Sequence, residues 1–346
     1  MGRITRQTIK IEHLFRLTDK VGIIEHALAA TPDPNHGYTT DDNARALQVC
    51  LRLRKTYPEL SKLIETYFNF LLSAKSRQGF YNDLSSDLVW EEPSDFLGEH
   101  FGRAMNALAE TASKDSDHQR RKMALDIFEQ MTDFITPTLS LRTIANLIIA
   151  LSLRQTIALK SASIQKKIKT LAGCLLEKKQ NSSDKKWCWF EEILSYDNGR
   201  LPLALIYAYK IQREKSYLET ALATLDFLLG ITFNKQKAYF SFPGNKGWFT
   251  KDGKRALYGQ RPIEAGSTVE ACCSAFEITR KKKYYDFAKA AFAWYQGKNI
   301  LNASLIDKET GGVKDGIDPR GVNPNQGAES LLSYLIAYHS LKKVQK

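Results

Sequence analysis

Six stretches of the chain are apolar on nearly every face when they are read at helical spacing. Each follows a polar or turn-rich loop and a four-residue motif that contains a small residue and often arginine. The motifs occupy residues 42–45, 100–103, 139–142, 197–200, 264–267 and 325–328. A helix that is apolar all round is buried all round, so the pattern predicts six buried helices, one after each motif.

Amphipathic segments alternate with these buried ones. They occupy residues 61–75, 117–134, 163–179, 215–229 and 282–296. In the first, Ile64, Tyr67, Phe68 and Leu71 have the 3–4 spacing of a one-sided helix. Strand signals are scarce, and only residues 237–242 could form part of a small hairpin in a loop. The alternation predicts an all-α fold, an (α/α)6 toroid of six helix hairpins in a single domain over residues 1–346.

In such a toroid the inner helices run the same way, so their N-termini open on one face with unpaired N–H groups and positive dipole ends. The first position of each motif is expected on that face, which also carries the long loops. These positions hold Asp42, His100, Leu139, Asp197, Glu264 and Asn325. Asp and Asn are also favoured N-caps, so a capping role stays open for each of them.

Composition narrows the function classes. No run approaches 18 apolar residues, and the polar start lacks the core of a signal peptide, which predicts a cytoplasmic protein without a membrane partner. The five cysteines show no metal-ligand spacing, so we expect reduced core thiols and neither metal nor cofactor. A net charge of +12 raises the question of nucleic acid. However, the basic residues follow solvated helix faces, whereas the cleft loops are acidic, so no nucleic-acid partner is expected.

Tryptophans and carboxylates share the loops that precede the buried helices. Flat rings beside carboxylates and amides suit a sugar, which has apolar C–H faces and hydroxyls around its edge. The candidate substrate-binding residues are Tyr38, Asn43, Arg45, Trp90, Glu99, His100, Arg103, Trp187, Trp189, Glu191, Tyr196, Asn198, Arg200, Gln260, Arg261 and Asn325. A structural belt of salt bridges that ties the loops to the rim is the alternative for the charged members.

Glycoside hydrolysis needs one carboxyl as acid and a second as base or nucleophile. Asp42 begins the first buried helix close to Arg45, a setting that should keep it ionised and suit a base. Glu264 follows the apolar pair Pro262 and Ile263, which could raise its pKa and suit an acid. Asp41 and Asp197 are the reserves for these catalytic roles, and the assignment could be reversed. No nucleophile elbow, P-loop or dinucleotide fingerprint precedes a helix.

Residues 37–46 read Gly-Tyr-Thr-Thr-Asp-Asp-Asn-Ala-Arg-Ala and follow Asp-Pro-Asn-His at 33–36. This stretch, with residues 196–200 and 260–264, resembles a bacterial group of glycosidase-like proteins in the six-hairpin glycosidase superfamily. Members occur alone or fused behind family-4-type glycosyltransferase domains, often near mannoside-processing genes. The resemblance runs through nearly the whole chain and implies the toroid. It also implies acidic residues at inner-helix starts, which Asp41, Asp42, Asp197 and Glu264 match.

The function expected is therefore that of a glycoside hydrolase acting on a short oligosaccharide, with mannose suggested by the resemblance alone. A non-catalytic carbohydrate-binding protein is one alternative. Another toroid enzyme, such as a uronate hydrolase, lyase or sugar epimerase, is the second. Related epimerases usually place catalytic histidines on late inner helices, where this chain offers Glu264 and Asn325, which counts against epimerase chemistry. The sequence predicts no oligomeric state.

Overall fold

The computed structural model describes residues 8–157 and 160–345. Within them the chain forms twelve α-helices: α1 Glu12–Leu17, α2 Thr40–Leu53, α3 Ile64–Ala74, α4 Glu99–Lys114, α5 His118–Met131, α6 Leu141–Arg154, α7 Ala162–Ser182, α8 Arg200–Gln212, α9 Lys215–Thr232, α10 Pro262–Thr279, α11 Lys282–Tyr295 and α12 Ala328–Val344. Short 3₁₀ helices occupy Pro34–His36, Pro58–Leu63 and Thr132–Phe134. None of the described helices is long and apolar enough to cross a membrane.

The even-numbered helices form a closed inner ring. Each packs against the next along the chain, and α12 packs back against α2. Each odd-numbered helix from α3 to α11 packs outside the inner helix that precedes it, while the short α1 contacts α12. The predicted all-α toroid of six hairpins is therefore confirmed.

The sequence pattern explains the two rings. Nearly every residue of α6 and α10 is buried, as their all-round apolar character requires. In α5 only Ala124, Ile127, Phe128 and Met131 are buried, one stripe at 3–4 spacing. The predicted outer segments are correct in position, although the first begins as a 3₁₀ turn before α3.

Ten short strands join the loops at one end of the ring: β1 Ala27–Leu28, β2 Thr31–Pro32, β3 Tyr38–Thr39, β4 Asp83–Leu84, β5 Ile193–Leu194, β6 Phe233–Asn234, β7 Tyr239–Phe240, β8 Phe249–Thr250, β9 Gly316–Asp318 and β10 Gly321–Asn323. All pair antiparallel. The pairs β3–β4 and β5–β8 connect loops that precede successive inner helices, so they fix these loops to one another. The expected hairpin near residues 237–242 is β6–β7, whose first strand lies earlier than predicted.

The first motif positions are not the N-caps of the inner helices. The N-cap residues are Thr39, Gly98, Ser140, Gly199, Arg261 and Gly327. The hydroxyl of Thr39 accepts a hydrogen bond from the backbone N–H of Asp42 at 3.1 Å, so Asp42 lies inside the first turn of α2. Its carboxyl is therefore available for other contacts.

Candidate active site

A cavity of about 390 Å³ opens where α2, α10 and α12 begin. We call it the front cavity. Its lining includes the carboxylates Glu25, Asp41, Asp42, Asp83, Asp315 and Glu329, the guanidinium groups of Arg45 and Arg261, the imidazole of His26, and the rings of Tyr196 and Trp248. The site is thus acidic and aromatic, as the loop composition indicates.

Three of these carboxylates converge on the buried side chain of Arg45. Its Nη1 lies 2.6 Å from Oδ1 of Asp42, and its Nη2 lies 3.1 Å from Oδ2 of Asp41 and 3.2 Å from Oε2 of Glu329. Asp41 and Asp42 precede Arg45 by four and three residues, so the helix places all three on neighbouring positions of α2. Glu329 comes from the start of α12, the next helix around the ring.

The carboxyl of Asp42 can hold a proton near neutral pH. Burial raises its pKa, Arg45 opposes this, and the negative charges of Asp41 and Glu329 add to the rise, which brings the pKa to about 7. The expectation that the helix N-terminus and Arg45 keep Asp42 ionised is wrong, because one guanidinium group is shared among three carboxylates.

Asp41 differs from its neighbour in exposure and in partners. Its side chain is one quarter exposed to the cavity, whereas that of Asp42 is 5% exposed. Besides Arg45, it forms an ion pair with Nε of Arg103, which reaches it from α4. Two adjacent carboxyls therefore differ in character, one buried with a raised pKa and the other held between two guanidinium groups.

Asp197 and Glu264 lie behind the cavity wall and do not line the front cavity. Asp197 is fully buried, with Oδ2 placed 3.1 Å from Nη2 of Arg103 and 3.4 Å from Nε of Arg200. Burial alone would raise its pKa, but Arg200 and Arg103 outweigh burial and lower it to about 2.

Glu264 is 1% exposed and accepts a hydrogen bond from Nδ2 of Asn198 at 2.8 Å. Burial raises its pKa to about 8, in the direction expected from its sequence context. The structure nevertheless does not bring Glu264 and Asp42 together on one cavity. The predicted acid–base pair therefore has to be revised, because the first turn of α10 directs Glu264 into the ring.

The aromatic candidates divide between cavity and core. The rings of Tyr196 and Trp248 both line the front cavity, with their centroids 6.4 Å apart. Trp187 and Trp189 are buried in the hydrophobic core and pack against Phe227. The expectation that these two tryptophans contact sugar is wrong, because they fill space between the loop and the outer ring.

Several other predicted binding residues hold the scaffold instead. These are Tyr38, Asn43, Trp90, His100, Glu191, Gln260 and Asn325, none of which lines the front cavity. Tyr38 donates a hydrogen bond to Asp19, and Nε2 of His100 lies 2.9 Å from a backbone carbonyl. Trp90 stacks on Tyr81. Loop composition cannot distinguish a residue that supports a rim from one that faces the cavity.

The other charged candidates form a layer beneath the front cavity or lie in its wall. Arg45, Tyr196 and Arg261 line it. Beneath them, Arg103 pairs with Asp41, Glu99 and Asp197, Arg200 pairs with Asp197 and Glu270, and Asn198 donates a hydrogen bond to Glu264. Glu99 accepts a hydrogen bond from the hydroxyl of Tyr196. The alternative of a salt-bridge belt thus describes the lower layer correctly.

Sequence reasoning missed Glu25, His26, Asp83, Glu329 and Trp248 as site residues. Glu329 is the second residue of α12, as Asp41 is of α2, so a comparison of helix registers rather than of motif positions would have found it. Glu25 lies in a loop and Asp83 in the short strand β4, and neither has a comparable signal. Burial raises the pKa of Glu25, His26 opposes the rise, and Asp83 adds to it.

No protein-family model matches the sequence, and no curated protein sequence does either. Solved structures share its fold over nearly the full length of both chains. Cellobiose 2-epimerase from Bacillus thermoamylovorans B4167 is 12% identical, with a TM-score of 0.76 over 97% of this chain and 96% of the other. A D-mannose isomerase is 11% identical, with a TM-score of 0.73 over 96% of each chain.

A third similar structure is an inactive variant of the GH76A α-1,6-mannanase from Salegentibacter sp. HEL1_6 in complex with α-1,6-mannotetrose. In that variant two consecutive aspartates are replaced by alanine. It is 12% identical to this chain, with a TM-score of 0.66 over 96% of each chain. At this level of identity the similarities show the six-hairpin toroid fold, which a sugar epimerase, a sugar isomerase and a glycoside hydrolase share.

Proposed function

We propose that this protein is a carbohydrate-active enzyme that hydrolyses a glycosidic bond in a neutral oligosaccharide, with Asp42 as acid and Asp41 as base. The observation that carries the proposal is the Asp41–Asp42 pair on Arg45, in which one carboxyl has a pKa of about 7 and its neighbour is ion-paired and open to the cavity. Two carboxyls of different character are what hydrolysis of an acetal requires.

In the proposed reaction Asp42 gives its proton to the glycosidic oxygen as the bond to the anomeric carbon breaks. A water molecule attacks that carbon and loses a proton to the carboxylate of Asp41. Asp41 then releases this proton to solvent and Asp42 takes one up, which restores both groups for the next turnover. Arg45 contacts both carboxyls, and its positive charge stabilises the negative charge that is transferred between them.

The aromatic side of the cavity supports a sugar substrate. Tyr196 and Trp248 offer ring faces to the apolar C–H surface of a pyranose, and the surrounding carboxylates and Asn245 can hydrogen-bond its hydroxyls. The volume of about 390 Å³ accommodates a short saccharide rather than a large ligand.

The charge of the cavity distinguishes among toroid enzymes. Six carboxylates face two guanidinium groups, so a uronate or a phosphorylated sugar would meet net repulsion. This disfavours the uronate hydrolase and lyase alternatives. Among the described residues, His26 is the one histidine that lines the cavity, which gives little support to epimerisation through a set of histidines. The raised pKa of Asp42 favours an enzyme over a binding protein.

The similar mannanase suggests the first substrate to test. Its variant without two consecutive aspartates is inactive and was obtained with α-1,6-mannotetrose, which supports a catalytic role for the consecutive pair Asp41 and Asp42 here. We therefore choose α-1,6-linked mannooligosaccharides as the first panel, followed by cellobiose, neutral gluco-oligosaccharides and unsaturated uronides.

The test is proton NMR of the anomeric products formed by the wild type and by Asp42→Asn and Asp41→Asn. Each substitution removes the titrating group but keeps its shape, so turnover should fall by about two orders of magnitude or more. The matched control is Asp226→Asn, whose carboxylate pairs with Lys283 on the outer ring and should leave turnover unchanged. Near wild-type turnover in both active-site variants would refute this pair. Conversion of mannose or cellobiose to an epimer, without new reducing ends, would favour an epimerase.

A further inference from the structure

A continuous row of ion pairs leads from the wall of the front cavity into the inside of the ring. It begins at Asp41 and continues through Arg103, Asp197, Arg200, Glu270, Arg52 and Glu110. Successive members come from α2, α4, the loop before α8, α8 itself and α10. The row therefore links α2, α4, α8 and α10 across the inside of the ring, and it starts at the proposed base.

Asp197 is the first carboxylate of this row that does not line the front cavity. Its Oδ2 is placed between Arg103 at 3.1 Å and Arg200 at 3.4 Å, and its other oxygen is buried without a hydrogen-bond partner. Two guanidinium groups from different elements thus depend on one carboxylate. Because the residue is fully buried, a direct role in substrate contact is excluded in this conformation.

The backbone around Asp197 is held in an uncommon conformation. Its φ is +47°, in the left-handed region that a non-glycine residue rarely adopts. Two residues later, a Cβ at Gly199 would lie 2.4 Å from the carbonyl of Ser267, so the turn is packed directly onto α10. Such strain persists only where the surrounding structure holds the backbone in place. Here the packing of this turn on α10 holds the carboxylate of Asp197 in position.

Arg103 transmits that position to the proposed base. Its side chain is 4% exposed. Its Nη2 donates a hydrogen bond to Oδ2 of Asp197, and its Nε forms an ion pair with Oδ1 of Asp41 in which these two atoms are not hydrogen-bonded. A planar guanidinium that is held at one end has little freedom at the other. Glu99 lies 3.7 Å from the same Nη2 on the side of Tyr196, so it also restrains this group but does not touch Asp41.

We propose that Asp197 is a positioning residue, which holds Arg103 so that Arg103 fixes the orientation of the Asp41 carboxylate toward the front cavity. This proposal rests on the proposed function. The sequence places Asp197 among the catalytic carboxylates. In this proposal Asp197 instead acts through the side chain of Arg103. A small displacement of a reacting group can reduce a rate about a hundredfold.

The first test compares Asp197→Asn with Glu270→Gln in steady-state kinetics on the confirmed substrate. Glu270 is also buried and pairs with Arg200 and Arg52, but it does not contact Arg103. We expect Asp197→Asn to lower kcat about tenfold or more with KM changed less than about threefold. Glu270→Gln should keep kcat within about twofold, even where its melting temperature falls. Equal kcat in the two variants, whether reduced or not, would overturn the proposal.

Arg103→Lys covers the case in which Asp197→Asn does not fold. It keeps the charge but loses the planar fork that joins two carboxylates, so the same loss of kcat with a small change of KM is expected. A kcat equal to the wild type in folded Arg103→Lys would contradict the proposal.

The second test does not need activity. The ¹³C resonance of the Asp41 carboxyl reports its ion pair with Arg103, and it should shift or broaden in Asp197→Asn but stay in place in Glu270→Gln. If no variant and no wild type hydrolyses any substrate, the proposed function fails, and this resonance still decides the positioning role. An unchanged resonance in Asp197→Asn would overturn it.

Discussion

Both ends of the inner ring bury carboxylates and cationic side chains, but the ratio between them differs, and so does the direction in which the pKa of a buried carboxyl is shifted. At the end opposite the front cavity lies a second cavity of about 220 Å³, here called the rear cavity. Its charged lining consists of Arg52, Lys114 and Lys343 with Glu110, Glu270 and Glu277, together with His339. Three cationic side chains thus face three carboxylates in the rear cavity, whereas two guanidinium groups face six carboxylates in the front cavity.

Protonation follows this difference in charge. Burial alone would raise the pKa of Glu110, but Arg52 and Lys114 outweigh burial and hold it well below the usual range. Asp42 is equally enclosed, and burial raises its pKa to about 7, because Arg45 opposes the rise while Asp41 and Glu329 add to it. Burial acts in the same direction on Asp42 and Glu110, so the ratio of cations to carboxylates around each group decides whether its pKa ends above or below the ordinary value.

The direction of the helices explains why each end has its own charge. Inner helices begin at the front, where their positive dipole ends favour carboxylates such as Asp41 and Glu329. They end at the rear, where Arg52, Lys114 and Lys343 lie in or near the last turns of α2, α4 and α12. The shared direction of the inner helices thus accounts for an acidic front cavity and a rear cavity with balanced charge.

The largest effect expected from this comparison is on stability at the rear. Glu110→Gln removes a buried carboxylate that pairs with Arg52 and, at 2.9 Å, with Lys114. Because Arg52 loses its main partner, the free energy of unfolding should fall by about 3 kcal/mol, while kcat of the folded protein is unchanged. Urea unfolding measures this. Glu219→Gln, an exposed change on α9, is the control and should stay within about 0.5 kcal/mol. Equal stability of the two variants would mean that the rear pairs are not structural.

A smaller effect is expected in the pH dependence of kcat/KM. If Asp42 must be protonated to act as acid, kcat/KM falls about tenfold per pH unit above about pH 7, where the free enzyme loses that proton. At the rear, the pKa values of Glu110 and Glu277 are lowered, so these two carboxylates stay ionised in this range and do not contribute. Loss of kcat/KM below pH 7 instead would reverse the assignment and make Asp42 the base.

The raised pKa of Asp42 also determines how this residue makes the free energy of unfolding depend on pH. The folded pKa of Asp42 is raised from an ordinary value near 3.8 to about 7, so its contribution to stability is fully present below about pH 4 and lost as the pH rises to 7. Glu277 at the rear has a lowered pKa, because Lys343 and Lys210 together outweigh its burial, and its contribution is lost as the pH falls. Urea unfolding of Asp42→Asn between pH 4 and 8 should therefore show a smaller decrease than the wild type.

The smallest effect concerns the aromatic wall of the front cavity. Trp248→Ala removes a ring that lines the cavity, so KM for the confirmed substrate should rise about three- to tenfold with little loss of stability. Substrate should also change the tryptophan fluorescence of the wild type but not that of this variant. Trp187 is 4% exposed in the core, and Trp187→Phe is the control that should retain the response. A response that survives in Trp248→Ala would place the sugar elsewhere.

Much of the architecture could be predicted from local patterns. All-round apolar segments become the inner helices and one-sided segments such as α5 the outer ones, because burial follows periodicity. The acidic start of α2 was also identifiable, since Asp41, Asp42 and Arg45 are neighbours on one helix. The roles of the loop aromatics could not be predicted. Trp187 and Trp248 both lie in loops that precede inner helices, yet Trp187 is buried in the core and Trp248 lines the front cavity.

The sequence by itself determined the helices, their order and the carboxylates near their starts, since each depends on residues a few positions apart. The tertiary structure decided which carboxylates share a guanidinium group. Glu329 reaches Arg45 only because α12 closes the ring against α2, and Asp197 reaches Arg103 only because the loop before α8 lies on α4. Protonation depends on such long-range neighbours through distance and burial, and neither quantity is encoded in the spacing of residues along the chain.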